Sequence, residues 1–250
     1  MNDETQTILS KSFKISLDEA AHLILSFLRE PRLGDLAFSA AIGGTVLKSA
    51  IKKEAGMIYN GSMAWYCRNL VGPGYLPELF LAFEDGSYEV AKVPRAPTSE
   101  KLIYTGRPFT YKREITMSEV LDMLKHDEIP LVADLEINKA DVMNCINRLP
   151  SDDFGDPYNK FPCSFFENRG VVNRDMDDFL SNGALKAVRY YFGYDTSYSH
   201  TKSNRIRVIF VGVDQDGRNI VGADNQTMVT SRLVQNSWPP PPPPYTEQID

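Results

Sequence analysis

Histidine and cysteine are scarce in this chain, with three of each among 250 residues. With only His22, His126 and His200 available, a multi-histidine metal site within one chain is excluded in practice. Cys67, Cys145 and Cys163 lie far apart and form no C-x-x-C pair, which removes zinc ribbons and thioredoxin-type redox sites. An odd number of thiols fits a reducing compartment. A positive excess is missing too: 27 Lys and Arg stand against 33 Asp and Glu, for a net charge of −6. Non-specific nucleic-acid binding needs clustered cations against phosphates, so that class is disfavoured. No apolar run is long. The most apolar stretch, Leu36 to Leu47, is broken by Ser39, Gly43, Gly44 and Thr45, whereas a bilayer core takes about 20 residues. The first residues, Met-Asn-Asp-Glu-Thr, are acidic and polar where a signal peptide is basic and then apolar. These absences together predict a soluble, cytoplasmic protein with no membrane contact.

Enzyme signatures are also missing. The chain contains no G-x-x-x-x-G-K-S/T, no G-x-G-x-x-G after a strand, no G-x-S-x-G and no H-E-x-x-H. No cofactor is expected from these motifs.

What remains is the composition of a globular protein, 42% hydrophobic, 24% charged and 11% aromatic, which excludes wholesale disorder, collagen and coiled coil. Ser16-Leu-Asp-Glu19 reads as a capping box, and Leu17, Ala20, Ala21, Ile24, Phe27 and Leu28 recur at helical spacing, predicting a helix over 17–29. The small-residue stretch from Gly34 to Ala55 ends in Lys48, Lys52 and Lys53 and reads as helical, with Gly43-Gly44 as a break or a close approach. Leu79–Phe83, Glu-Asp-Gly-Ser and Tyr88–Val93 read as a β-hairpin turning on Asp-Gly. Strands are expected near Lys101–Tyr104 and Phe109–Arg113. A second capping box, Thr116-Met-Ser-Glu119, opens a short helix. Leu131 to Ile137 alternates as a strand, and Asn138 caps a helix to about Arg148.

Residues 150–172 carry Pro, Gly and Asp among five aromatics and read as a long ordered loop, followed by a helix from Asn173. Leu185–Tyr194 is aromatic and β-branched, a strand. Arg205–Asp214 is a continuous apolar run, predicting a central strand buried on both faces, and Asp214-Gln-Asp-Gly217 turns it into a second hairpin. The fold expected is α+β: a mixed or antiparallel sheet with two hairpins, several short helices and a helical N-terminal part. Residues 1–12 read as loose, 13–237 as one domain with a possible sub-boundary near 115, and 238–250 as a separate arm.

That arm carries the most specific pattern. Trp238 is followed by six prolines, Pro239, Pro240, Pro241, Pro242, Pro243 and Pro244, and then Tyr245. Such a run adopts polyproline II, a stiff extended helix that loses little entropy on docking into an aromatic groove. Pro242-Pro243-Pro244-Tyr245 resembles the P-P-x-Y ligands of WW domains, and the oligoproline resembles ligands of profilin. The resemblance implies a protein partner. A stiff spacer, or an arm lying on its own domain or a neighbouring subunit, accounts for the same residues.

Two functions follow. The first is a non-enzymatic interaction or assembly protein, whose aromatic-rich loop and proline arm contact partner subunits or a second copy. The alternative is an enzyme or binding protein for a small polar ligand, with a site formed by the 152–169 loop, Arg189 and His200. Cys163 would serve there as a nucleophile only with its sulfur near an imidazole and its pKa lowered. Asp152, Asp153 and Asp156 would suit a hard divalent cation, but clustered Asp beside Gly and Pro equally makes turns. Asp214-x-Asp216-Gly217-x-Asn219 falls short of a calcium loop, with Asn225 in place of the twelfth-position Glu. Arg189 with Tyr190, Tyr191 and Tyr194, or Arg205 and Arg207, would offer an anion or base-stacking surface; a core face explains them as well.

Overall fold

The computed structural model describes residues 14–44 (save 32, 35 and 37), 60–69, 78–87, 96–149 (save 106–108, 110, 112–113 and 132), 163–167, 179, 182–196, 206–221 and 228–230. Within them the chain is α+β, dominated by two wholly antiparallel sheets. The strands are β1 (Lys14–Ile15), β2 (Ser39–Gly43), β3 (Asn60–Asn69), β4 (Glu78–Ser87), β5 (Lys101–Thr105), β6 (Asp134–Asn138), β7 (Cys163–Glu167), β8 (Ala187–Tyr194), β9 (Ile206–Val213), β10 (Asn219–Ile220) and β11 (Met228–Thr230). The helices are α1 (Leu17–Arg29), α2 (Met117–His126) and α3 (Lys139–Ile146).

The first sheet runs β1-β11-β9-β8-β2, with β10 beside β9; the second runs β6-β5-β4-β3-β7. Strand alternation sorts their side chains into layers. Tyr190 and Phe192 of β8 and Phe210 of β9 face the second sheet, where Phe83 lies 6.0 Å from Tyr190 and Tyr66 lies 6.0 Å from Phe192. The Leu81 N–H donates to the Tyr190 hydroxyl across the same gap at 3.1 Å. On the opposite face of the first sheet lie Arg189, Tyr191 and Gly193, covered by α1 and α2. On the opposite face of the second sheet, Met63, Trp65, Cys67, Phe80 and Ala82 pack with Val142, Cys145 and Ile146 of α3. The order of layers is thus helices, sheet, sheet, helix. It explains why all eight residues of β8 and all eight of β9 are buried: each strand is covered on both faces.

Local chemistry places the helices. Ser16 Oγ accepts from the Glu19 N–H at 3.1 Å, Thr116 and Glu119 form a reciprocal capping box, and Asn138 Oδ1 accepts from the Asp141 N–H at 2.9 Å. Helix α1 lies close on β8 because Gly193 lacks a side chain. A Cβ there would stand 2.8 Å from the Leu23 Cβ.

Three expectations are corrected. Residues Ser39–Gly43 form strand β2, paired with β8, instead of continuing a helix; the run pairs along its whole length once β8 is beside it. The turn expected at Glu84-Asp85-Gly86 is absent, because β4 continues to Ser87 in register with β3 back to Asn60. The stretch expected to be loop over 150–172 contains β7, which pairs with β3 from Gly61 to Trp65. The expected strand Tyr88–Val93 and most of the helix from Asn173 lie outside the described residues.

Candidate functional site

Arg189 is fully buried on the covered face of β8. Its Nη1 donates to Asn219 Oδ1, and its Nη2 donates to the Gly217 carbonyl at 2.9 Å and the Ile129 carbonyl at 3.2 Å. Nε has no hydrogen-bond partner. Asn219 in turn donates through Nδ2 to the Leu124 carbonyl at 3.0 Å and to the Tyr191 hydroxyl at 3.1 Å. One guanidinium therefore ties β8, the segment after α2 and the turn between β9 and β10 into a single polar centre, and Asn219 adds the end of α2. Gly217 makes the approach possible: its φ is +83°, and a Cβ would stand 2.4 Å from the Ile129 carbonyl oxygen. The turn itself is held by Asp214, whose Oδ1 accepts from the N–H groups of Asp216 and Arg218, each at 2.9 Å.

At the rim of this centre the Tyr111 hydroxyl donates to Asp127 Oδ2 at 2.5 Å. Burial pushes the Asp127 carboxyl above the usual carboxylate range, while the Tyr111 hydrogen bond and the nearby Arg189 charge pull it down. Burial, then the Asp127 carboxylate, push the Tyr111 phenol up, and burial does the same to Tyr191. A carboxyl whose pKa is higher in the folded than in the unfolded chain makes the native state bind more protons through that window. Its contribution is fully present below the unfolded value and is lost as pH rises through the folded one. Asp127→Asn keeps an acceptor for Tyr111 without the charge. The variant is expected to be at least as stable as wild type at pH 7, with the difference shrinking as pH falls toward 4, as urea titrations across pH would measure.

The second centre is Glu84, buried on the α3 side of β4. Its Oε1 accepts from Trp65 Nε1 at 2.7 Å, and its Oε2 accepts from Thr98 N at 2.8 Å, Thr98 Oγ1 at 3.0 Å and Ser99 N at 2.7 Å. All three cysteines belong to this core. Burial pushes the thiols of Cys67 and Cys163 well up and that of Cys145 up, the opposite of what a reactive thiolate requires. A third buried pair, Arg207 and Asp195, joins at 3.1 Å beside α1.

The residues singled out from sequence are thus distributed. Arg189 sits under α2 on the outer face of the first sheet; Cys163 sits under α3 on the outer face of the second. Both sheets lie between them. His22 and His126 are exposed on their helices. His200, Arg205, Asp152, Asp153, Asp156 and the whole of Trp238–Tyr245 lie outside the described residues. Arg207 is buried and paired, so the two arginines that are described make core contacts instead of a solvated anion surface. Among the described residues, no group of three or more His, Cys, Asp and Glu is placed to hold a metal ion, and no helix is long and apolar enough to cross a membrane. Sequence reading missed Glu84, Asn219, Tyr111 and Asp127. For Glu84 a signal existed: it continues the Phe80, Ala82 alternation, so a strand through it would bury its carboxylate. Comparison with protein-family models, with curated proteins and with solved structures finds no match to this chain.

Proposed function

We propose that this chain is a non-enzymatic interaction or assembly protein that contacts partner subunits through its aromatic-rich stretch 150–172 and the proline arm Trp238–Tyr245. The observation that supports this most is the position of β7. It lies inside the aromatic-rich stretch and, among the described residues, forms the last strand of the second sheet, paired on one side with β3. An edge strand at Cys163–Glu167 is where a second chain gains backbone pairing, and the flanking sequence supplies aromatic side chains. The bonding of the reactive side chains agrees with this reading. Arg189, Glu84 and the cysteines are held in buried packing and hydrogen bonds that join elements of the fold.

The test is deletion of Trp238–Asp250 from protein purified gently from its own host, followed by native mass spectrometry. The expected result is loss of an associated subunit with the circular dichroism and melting of the domain unchanged. Unchanged mass and partners after truncation would refute the arm's role.

A further inference from the structure

Among the described residues two large apolar side chains stand exposed, Leu131 at 40% and Leu135 at 43%, and both lie in one short stretch at a sheet edge. Leu135 belongs to β6, which pairs with β5 on one side and, among the described residues, ends the second sheet opposite β7. Ile137, two residues on, packs with Tyr104 against the α3 core. Strand alternation therefore puts Leu135 on that same face and Glu136 on the other. Two carboxylates stand exposed beside the strand, Glu136 at 57% and Glu100 at 88%, next to Lys101 and Lys139.

An edge strand offers backbone donors and acceptors to which an extended segment can add. The chemistry of the edge discriminates among occupants. A second copy pairing antiparallel about Glu136 would set Glu136 against Glu136, and like charges directly opposite are destabilising. The chain's own proline arm fits no better. Its six prolines have no N–H for a ladder, and the segment Trp238–Asp250 holds Glu247 and Asp250 but no cation. A segment that alternates Lys or Arg with apolar residues satisfies both faces at once, setting its apolar side chains beside Leu135 and its cations beside Glu136.

We propose that β6 is the docking edge for an extended basic segment of a partner protein, which adds as a further strand along Asp134–Asn138. The Glu136 carboxylate, already 2.6 Å from Lys101 Nζ, remains 57% exposed and open to a second cation. This surface is distinct from the arm, so it stands or falls independently of the truncation above.

The experiment titrates the full chain with a blocked ten-residue peptide alternating lysine and valine, read by backbone amide chemical shifts. The expected result is saturable binding with shifts centred on Asp134–Asn138. Affinity should weaken about tenfold or more for Leu135→Lys, and similarly when alternate peptide nitrogens of the ligand are methylated, which preserves charge and removes the ladder. Leu131→Lys serves as a second variant should Leu135→Lys perturb the fold. No binding, shifts centred elsewhere, or equal affinity for the methylated peptide would overturn the proposal, the last by reducing it to charge attraction alone.

Discussion

Glu84→Ala is expected to destabilise the fold by about 3–5 kcal/mol, the range for removing one partner of a buried charged network. The carboxylate accepts from Trp65 Nε1, from the N–H groups of Thr98 and Ser99 and from the Thr98 hydroxyl. Alanine removes the acceptor that all of these donors share. The cost falls unevenly. Trp65 is fully buried, so its indole N–H has no route to water, whereas the 98–99 segment lies nearer the surface and can be partly rehydrated. Glu84→Gln retains the shape and one acceptor oxygen but turns an amide NH2 toward the donors, and is expected to lose about 1–3 kcal/mol. Urea denaturation measures both. Tryptophan emission adds a local readout, since the chain has only Trp65 and Trp238, and a Trp238→Phe background isolates the buried indole. A Glu84→Ala protein with wild-type midpoint and unchanged emission would mean that the hydrogen bonds from these four donors contribute nothing net.

The same residue shows where the sequence was legible and where it was not. Local signals held: Ser16, Thr116 and Asn138 cap α1, α2 and α3, because a capping hydroxyl or amide acts on an N–H two or three residues away. The continuous apolar run of β9 also spoke for itself, since a strand covered on both faces needs no polar alternation. What failed was every reading in which a local preference competed with distant pairing. Glu84-Asp85-Gly86 has the composition of a tight turn, yet ten residues of β3 lie alongside and carry β4 straight through it. Strand β3 itself has too mixed a pattern to declare itself, with Gly61, Ser62, Arg68 and Asn69 among its residues. Ser39–Gly43 is small-residue sequence that would suit a helix, and becomes a strand because β8 supplies the ladder. Arg189 was visible as a candidate, but its role was not. The carbonyls it binds belong to residues 60 and 28 positions away.

Substituting Arg189 separates the structural reading from the enzymatic one. Were it a ligand-binding residue, Arg189→Met would abolish activity and leave the fold intact. The geometry instead leads to a folding defect. Methionine fills the stem of the side chain but removes the donors for Asn219 Oδ1 and for the carbonyls of Gly217 and Ile129, all inside a buried centre. Asn219 Oδ1 and the Ile129 carbonyl lose their donor, and the Gly217 carbonyl keeps only the Ile129 N–H at 3.2 Å; together these losses are expected to cost about 3–5 kcal/mol, and a shift in melting temperature on the order of 10 °C for a chain of this size. Lysine is no substitute, because a single ammonium on a flexible stem cannot reproduce the fork that reaches two elements at once; Arg189→Lys should lose about 2–3 kcal/mol. The damage should also be directional. Losing the tie leaves the β9–β10 turn joined to the segment after α2 only by the Ile129–Gly217 bond, the Glu128–Arg218 bridge and the Asn219–Leu124 bond, so amide exchange should accelerate first at Asn219, Ile220 and Ile129 while the β3–β4 ladder stays protected. Uniform exchange with an unchanged melting temperature would show that the centre is dispensable to the fold, and would return Arg189 to the list of residues available for chemistry.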